Sequence, residues 1–347
     1  MSTVIRVQVL ILCTLSLFVD HKTAAAPLPW TKAKSPSAGE SQSIGGYAYG
    51  CLQGAAALAE RGLGYRSIRR YRNRYYAHPQ TIKVVESIGR EVKARGLDEI
   101  EVGDLSQPRG GRMKYGHRSH QSGLDIDLWF GGSKEYLKGE RKRRLKRIKR
   151  KAKKKKWSKK KFKSALFDVD HPSTIKGWRE SLDEAVWSTR HEQLLKIAAS
   201  QPEVARIFVH FRIKEKMCAL YRLTQTKGKT TGPEPLWLRK LRPWYGHHQH
   251  FHVRLHCPSG SPECDAQGPL PDGLNCEGLD WFSKVEKRKR KKETEKKSAK
   301  EEERRASLSP KALKTLKRQE AKKRRVKKQK EREKKERLIQ RCQHLSP

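Results

Sequence analysis

The sequence predicts an α+β domain, a single catalytic domain around a small, mostly antiparallel β-sheet. Three observations carry this. Short stretches that alternate apolar and polar residues are interleaved with amphipathic ones, without the strand–helix–strand repeat of a doubly wound fold. The net charge of +43 over 347 residues is concentrated in two runs, Lys134–Ser164 at net +17 and Lys284–Arg341 at net +18. The other 258 residues carry 33 basic and 25 acidic side chains, an ordinary balance on a chain long enough for a sizeable core. Cysteine usage agrees: beyond Cys13 there are six, Cys51, Cys218, Cys257, Cys264, Cys276 and Cys342. An even number in an exported chain points to disulfides, and the absence of any CxxC argues against a thiolate zinc or redox motif.

Taken in order, Met1–Ala26 reads as a secretory signal peptide. Arg6 gives a positive start, Val7–Val19 is mostly apolar, and Ala24-Ala25-Ala26 supplies small residues for cleavage. That stretch is too short for a membrane span and no other apolar run is longer, so the mature chain is expected to be soluble. Pro27–Glu40 is a Pro/Ser-rich leader to the fold. Cys51–Arg61 has helical composition. Pro79–Arg95 repeats Ile82, Val85, Ile88 and Val92 at helical spacing, opening at His78-Pro79. Glu99–Asp104 alternates as a strand, Gln107–Gly116 is a Gly-rich loop, and Leu124–Phe130 alternates again. Glu192–Ser200 reads as a helix, and Arg206–His210 and Phe251–Leu255 as strands. Cys257 and Cys264 suit a small local loop; the other cysteines cannot be paired from spacing alone.

Two clusters carry chemistry. In Gly116–Asp127 (GHRSHQSGLDID), a strand that buries Leu124, Ile126 and Leu128 turns Asp125 and Asp127 to its other face, beside a loop holding His117 and His120. Alone, this pattern fits an exposed edge strand with solvated acids equally well. In Trp244–Leu255 (WYGHHQHFHVRL), His250 and His252 are two apart on a strand, so both imidazoles share a face while Phe251 and Val253 point into the core. His247 precedes them, and His248 is less patterned. A His-x6-Asp and a His-x-His together offer three N/O ligands with a base left over. That is the pattern of a catalytic zinc, since structural zinc sites are usually closed by cysteines. Zinc is therefore expected on the polar face of the sheet.

SHQSGLDID with HFHVRL resembles the lysostaphin, D-Ala-D-Ala metallopeptidase and hedgehog group of zinc proteins. SIGGYAYGC, GDLSQPRGGRMKYGHRSHQSGLDIDL, RIFVHFRIKEKMC and WLRKLRPWYGHHQHFHVRLHCP resemble the penicillin-insensitive murein endopeptidases more closely. The likeness runs from about Ser43 to Trp281 and resumes at Cys342; the two basic runs lie outside it. The resemblance implies that His120, Asp127 and His252 bind Zn2+, that His250 is the general base, and that His247 and His117 orient water or stabilise the oxyanion. It implies the pairings Cys51–Cys342, Cys218–Cys276 and Cys257–Cys264. It also implies peptidoglycan as the substrate, cut at D-Ala to meso-diaminopimelate cross-links in the periplasm. A D,D-carboxypeptidase using the same site, or a non-catalytic cell-wall-binding protein, are the alternatives. The Gly110–Gly116 loop either lets backbone approach a ligand, with Arg112 pairing a substrate carboxylate, or is simply a turn.

The expected domain plan is a signal peptide (1–26), a zinc peptidase domain (27–283) interrupted by a basic insertion (134–164), a basic tail (284–341) and a C-terminal cysteine segment (342–347). Both basic additions are expected to be flexible or helical, with a solvated or disordered loop favoured for the insertion. In the tail, Ser309-Pro310 suits an N-cap and first helical residue, giving a charged helix too poor in apolar residues for a coiled coil. No nucleic acid is expected in an exported compartment, so both runs are read as attracting the enzyme to anionic cell-wall or membrane surfaces.

Overall fold

The computed structural model describes residues 30–134, 136–177, 180–226 and 235–345; the signal peptide expected at 1–26 lies outside them. The chain begins with a hairpin, β1 (Gln42–Gly46) and β2 (Tyr49–Gln53), followed by short strands β3 (Ala56–Ala57), β4 (Arg61–Gly62), β5 (Tyr65–Ser67) and β6 (Tyr76–Ala77). Helix α1 (Pro79–Ala94) leads to β7 (Ile100–Val102) and β8 (Asp125–Trp129). Helices α2 (Arg141–Lys154) and α3 (Lys159–Asp170) come next, then β9 (Ile175–Lys176), β10 (Ser181–Leu182), α4 (Thr189–Ser200), β11 (Val204–Val209) and α5 (Phe211–Thr226). Helix α6 (Leu236–Lys240), β12 (Leu241–Pro243), β13 (His250–Leu255), α7 (Lys284–Ala306) and α8 (Pro310–Cys342) complete it.

Among the described residues the main sheet has seven strands in the order β12-β11-β13-β8-β7-β5-β4. Its pairings are antiparallel except β11 with β12 and β5 with β7, which makes the expected α+β class a mixed, mostly antiparallel sheet. The acidic strand β8 is its central member and not an edge. Leu124, Ile126 and Leu128, with Phe251, Val253 and Leu255 of β13, enter one core with Val84, Val85, Ile88 and Val92 of α1 and Leu194, Leu195 and Ile197 of α4. Each such buried aliphatic or aromatic side chain contributes about 1.5–3 kcal/mol. Helices α1 and α4 thus cover one face of the sheet, and the acid-bearing face is left to loops and to α3.

Helix α1 starts where expected. His78 caps it by accepting from the Gln80 N–H, and Pro79 occupies the first turn, where its missing N–H costs nothing. Its stripe is shifted slightly: Val84 is buried, while Ile82 is only partly so.

Two expectations, for Cys51–Arg61 and for the basic insertion, are corrected. Cys51–Arg61 is extended, not helical: Gly54 sits at φ 54°, where a Cβ would lie 2.5 Å from the Gly39 carbonyl oxygen, and Cys51 is tied across the molecule to Cys342. In the Gly-rich loop, where a turn and a ligand-approach loop are equally open readings, two glycines are required by internal packing. A Cβ on Gly110 would lie 2.1 Å from the Gln121 oxygen, one on Gly111 would strike the Trp30 ring, and Arg112 is exposed. The basic insertion is a helical hairpin, not a loop. Tyr136, fully buried, donates its hydroxyl to the Val169 carbonyl at 2.7 Å and pins the hairpin's two ends together. Ser158 caps α3 by accepting from the Lys161 N–H.

Ser309 caps α8 with Pro310 in its first turn, as expected, and a second charged helix, α7, precedes it behind its own cap, Ser283. The six cysteines form Cys51–Cys342, Cys218–Cys276 and Cys257–Cys264. The first closes the basic tail into a tethered loop, sealed by a small cluster of Ile44, Cys51, Cys342 and Leu345. No described helix is long and apolar enough to cross a membrane.

His191, buried in the first turn of α4, accepts from the Ser188 N–H at 2.9 Å. Burial, helped by the Arg190 charge, pushes its imidazole down to about 4 from its ordinary 6.5. The fold therefore favours the neutral ring. That stabilisation is complete above pH 6.5 and is lost as pH falls toward 4, for a total of about 3 kcal/mol. His191→Gln, which keeps an acceptor but cannot titrate, should lose less stability between pH 7 and pH 4 in denaturant titrations than the parent.

Candidate metal centre

The two chemical clusters, more than a hundred residues apart, are joined by one strand register. In the β8–β13 ladder His252 stands opposite Asp127, His250 opposite Trp129 and Arg254 opposite Asp125. Directly opposed residues have Cβ atoms about 4.5–5.5 Å apart and share a face. The alternation read from each strand therefore becomes a single polar group on the central strands.

Asp127 is the hub. Its Oδ1 lies 3.3 Å from His120 Nε2, 3.2 Å from His252 Nδ1 and 3.8 Å from His250 Nε2, and its Oδ2 is 3.1 Å from His117 Nε2. Asp127, His120 and His252 are buried, while His117 and His250 are partly exposed. His247, at φ 54°, brings its ring centroid to 5.4 Å from His250 and 6.0 Å from His252. All six predicted site residues are thus neighbours. His248 turns away, its ring 6.5 Å from that of His210.

Sequence reasoning missed the supports. Asp125 accepts from the His120 backbone N–H at 2.8 Å, lies 2.8 Å from His252 Nε2, and accepts from Arg254 Nε at 2.8 Å. It therefore fixes a loop histidine in left-handed backbone (His120, φ 68°) and aims His252 Nδ1 at Asp127. Asp104, just beyond β7, lies 3.3 Å from His117 Nε2 and is held by Arg72 at 3.0 Å and Arg74 at 2.9 Å. The i, i+2 spacing flagged Asp125 as facing the site, without a role. Nothing local distinguishes Asp104 from a solvated strand-end acid.

The electrostatics follow from burial. Desolvation opposes ionisation of Asp127, yet His117, His120 and His250 hold its carboxyl well below the carboxylate range. Burial pushes His250 down to about 4 and His247 to about 3, with neighbouring imidazoles adding to the effect. For His252 burial is outweighed by Asp125 and Asp127, which raise it to about 9.

The donor set fits a small divalent cation. His120 Nδ1 and Nε2 and Asp127 Oδ1 are buried without hydrogen-bond partners. Ligand atoms of His117, His120 and Asp127 all lie within 4.8 Å of one another. Bonds of about 2.0–2.2 Å around a tetrahedral ion place ligand atoms about 3.3 Å apart. The separations of Asp127 Oδ1 from His120 and His252 match that edge. His117, Asp127 and His250 also line an open cavity of about 970 Å³. Buried imidazoles and a carboxylate converging at the edge of an open cavity form the arrangement of a hydrolase that can hold a metal.

Comparisons with known proteins agree with this class. Residues 43–345 match the family described as penicillin-insensitive murein endopeptidase. The chain is 40% identical over 267 residues to the penicillin-insensitive murein endopeptidase of Haemophilus influenzae, covering 74% of this chain and 80% of that one. It is 34% identical over 274 residues to that of Klebsiella pneumoniae, covering 78% and 87%. It is 34% identical over 259 residues to that of Yersinia enterocolitica, covering 74% and 82%. The chain belongs to the penicillin-insensitive murein endopeptidase family, and so is a hydrolase of the peptidase class.

Asp125→Asn should lower affinity for a divalent metal ion about 10- to 100-fold, because it loosens both the His120 backbone and the His252 ring. Competition against a chromophoric chelator measures this, and unchanged affinity would show that Asp125 does not orient the ligands.

Proposed function

We propose that this chain is an exported zinc peptidase that hydrolyses D-Ala to meso-diaminopimelate cross-links of peptidoglycan in the periplasm. The observation that carries the reading is the convergence of His120 Nε2 and His252 Nδ1 on Asp127 Oδ1 beside an open cavity, in a chain of this family. His120, Asp127 and His252 hold the ion. When bound, zinc supplies Lewis acidity, polarising the scissile carbonyl and bringing the pKa of water from 15.7 to roughly 7. His250, held on β13 beside Asp127, takes the proton from the attacking water and returns it to the leaving amine. His247 and His117 flank it and orient the water or donate to the developing oxyanion. Asp104 and Asp125 keep His117 and His252 in position.

The organisation proposed around this site keeps the expected plan: a cleaved signal peptide at 1–26, a peptidase domain over 27–283 with its insertion at 134–164, the basic tail 284–341 and the cysteine segment 342–347. The basic runs draw the enzyme to anionic wall or membrane surfaces, a field that fades beyond about 8 Å at physiological salt.

Digestion of purified muropeptides tests the activity. Cross-linked dimers should disappear and pentapeptides persist, with turnover abolished by chelator and restored by zinc. Loss of pentapeptides with dimers intact would instead identify a carboxypeptidase. His250→Ala should retain its metal by elemental analysis while losing about 10²–10⁴ in turnover; a fully active variant would remove His250 from the mechanism.

A further inference from the structure

We propose that the basic insertion forms a wall of the reaction cleft, and that Lys159, Lys160 and Lys163 bind carboxylates of the peptide substrate. This rests on the reading of the chain as a peptidoglycan peptidase. The same cavity that His117, Asp127 and His250 line is bounded by these three lysines of α3. At about 970 Å³ it has the size of a binding site for an extended ligand rather than a surface dimple.

Packing explains why the wall stands there. Phe167, one turn beyond Lys163, meets the Trp129 ring edge-on with centroids 5.0 Å apart and stacks on His171 at 3.9 Å. Trp129 is the last residue of β8, and its ring centroid lies 5.2 Å from that of His250. The Arg69 guanidinium covers the joint, 4.6 Å from the Phe167 centroid and 5.3 Å from that of Trp129. Residues spaced by four share a helix face. The face that docks Phe167 on the catalytic strand therefore presents Lys163 and Lys159 one and two turns away, with Lys160 beside them.

Position in the cavity, rather than charge alone, separates these lysines from the rest of the hairpin. Arg141, Arg143 and Arg144 are neutralised by Asp170, Glu140 and Asp183. Lys159, Lys160 and Lys163 are exposed, and no ion pair engages them among the described residues. Arg69 adds a fourth cation to the cavity, against Asp168, which accepts from Gln249 Nε2 at 3.3 Å. The surplus is positive beside a peptide-cutting site. A lysine ammonium is a point charge on a flexible stem, suited to carboxylates presented in more than one geometry. A cross-link containing diaminopimelate presents such carboxylates next to the bond to be cut.

The test uses the full-length, zinc-loaded enzyme and two triple variants. Lys159→Gln/Lys160→Gln/Lys163→Gln alters the cleft wall. Lys142→Gln/Lys146→Gln/Lys149→Gln removes equal charge from exposed positions of α2. With a cross-linked muropeptide dimer, the cleft variant should raise KM about tenfold with kcat within twofold, and the α2 variant should leave both unchanged. Amidating the dimer's carboxylates should raise KM for the parent and abolish the difference between parent and cleft variant. Equal effects of the two triples, or a loss that persists on the amidated dimer, would overturn the proposal. Calorimetric titration of the free-acid and amidated muropeptide monomers reads the site without turnover. If the parent cleaves no dimer but the cleft variant alone loses affinity for the free acid, the peptidase reading fails and the carboxylate site stands. Equal affinity of parent and cleft variant for the free acid overturns the site.

Discussion

A buried carboxylate answered across one rung of a sheet holds this centre together. Asp127 lies in the interior of the central strand, opposite His252 on β13. Burying an isolated carboxylate costs several kcal/mol, so the surrounding structure must supply compensation. Here four imidazoles approach it. Behind them Asp125, paired with Arg254, answers His252, and Asp104, paired with Arg72 and Arg74, answers His117. A slip of one residue in that register would send the acids to the core face and Leu128 to the cleft. The apolar packing of Ile126, Leu128, Phe251 and Val253 is therefore what specifies the site.

The same economy extends to the periphery. Cys51–Cys342 returns the end of the tail to the hairpin β1–β2, so two long charged helices with almost no buried residues are tethered at both ends. The insertion is anchored differently, by Tyr136 near its start and by Phe167 just past its end. Two polycationic segments of similar composition thus take different places: the tail is held at its ends, and α3 of the insertion borders the cavity that His117, Asp127 and His250 line.

Much was legible in the residues. The alternation of Leu124–Phe130 and Phe251–Leu255 correctly assigned which side chains enter the core, because a strand has a period of two wherever it lies. The His78-Pro79 and Ser309-Pro310 starts followed from local capping chemistry, which needs no tertiary partner. Composition misled at Cys51–Arg61, where Ala and Leu suggested a helix but a left-handed glycine and a distant disulfide impose extended chain. It misled again at the insertion, where a low apolar content concealed the aromatic anchors Tyr136 and, just past its end, Phe167.

The sequence by itself determined the chemical inventory: which residues can ligate or titrate, which face of each strand they occupy, and the two charged runs. Only the tertiary structure decided that β8 is central rather than an edge and that β13 lies beside it in a register that opposes Asp127 and His252. It also decided that Asp104 and Asp125 hold the histidines and that Lys159, Lys160 and Lys163 share their cavity. The division is physical. Side-chain direction along a strand or helix is a local property of the backbone, whereas strand order, burial and the partner of each buried charge depend on segments far apart in the chain.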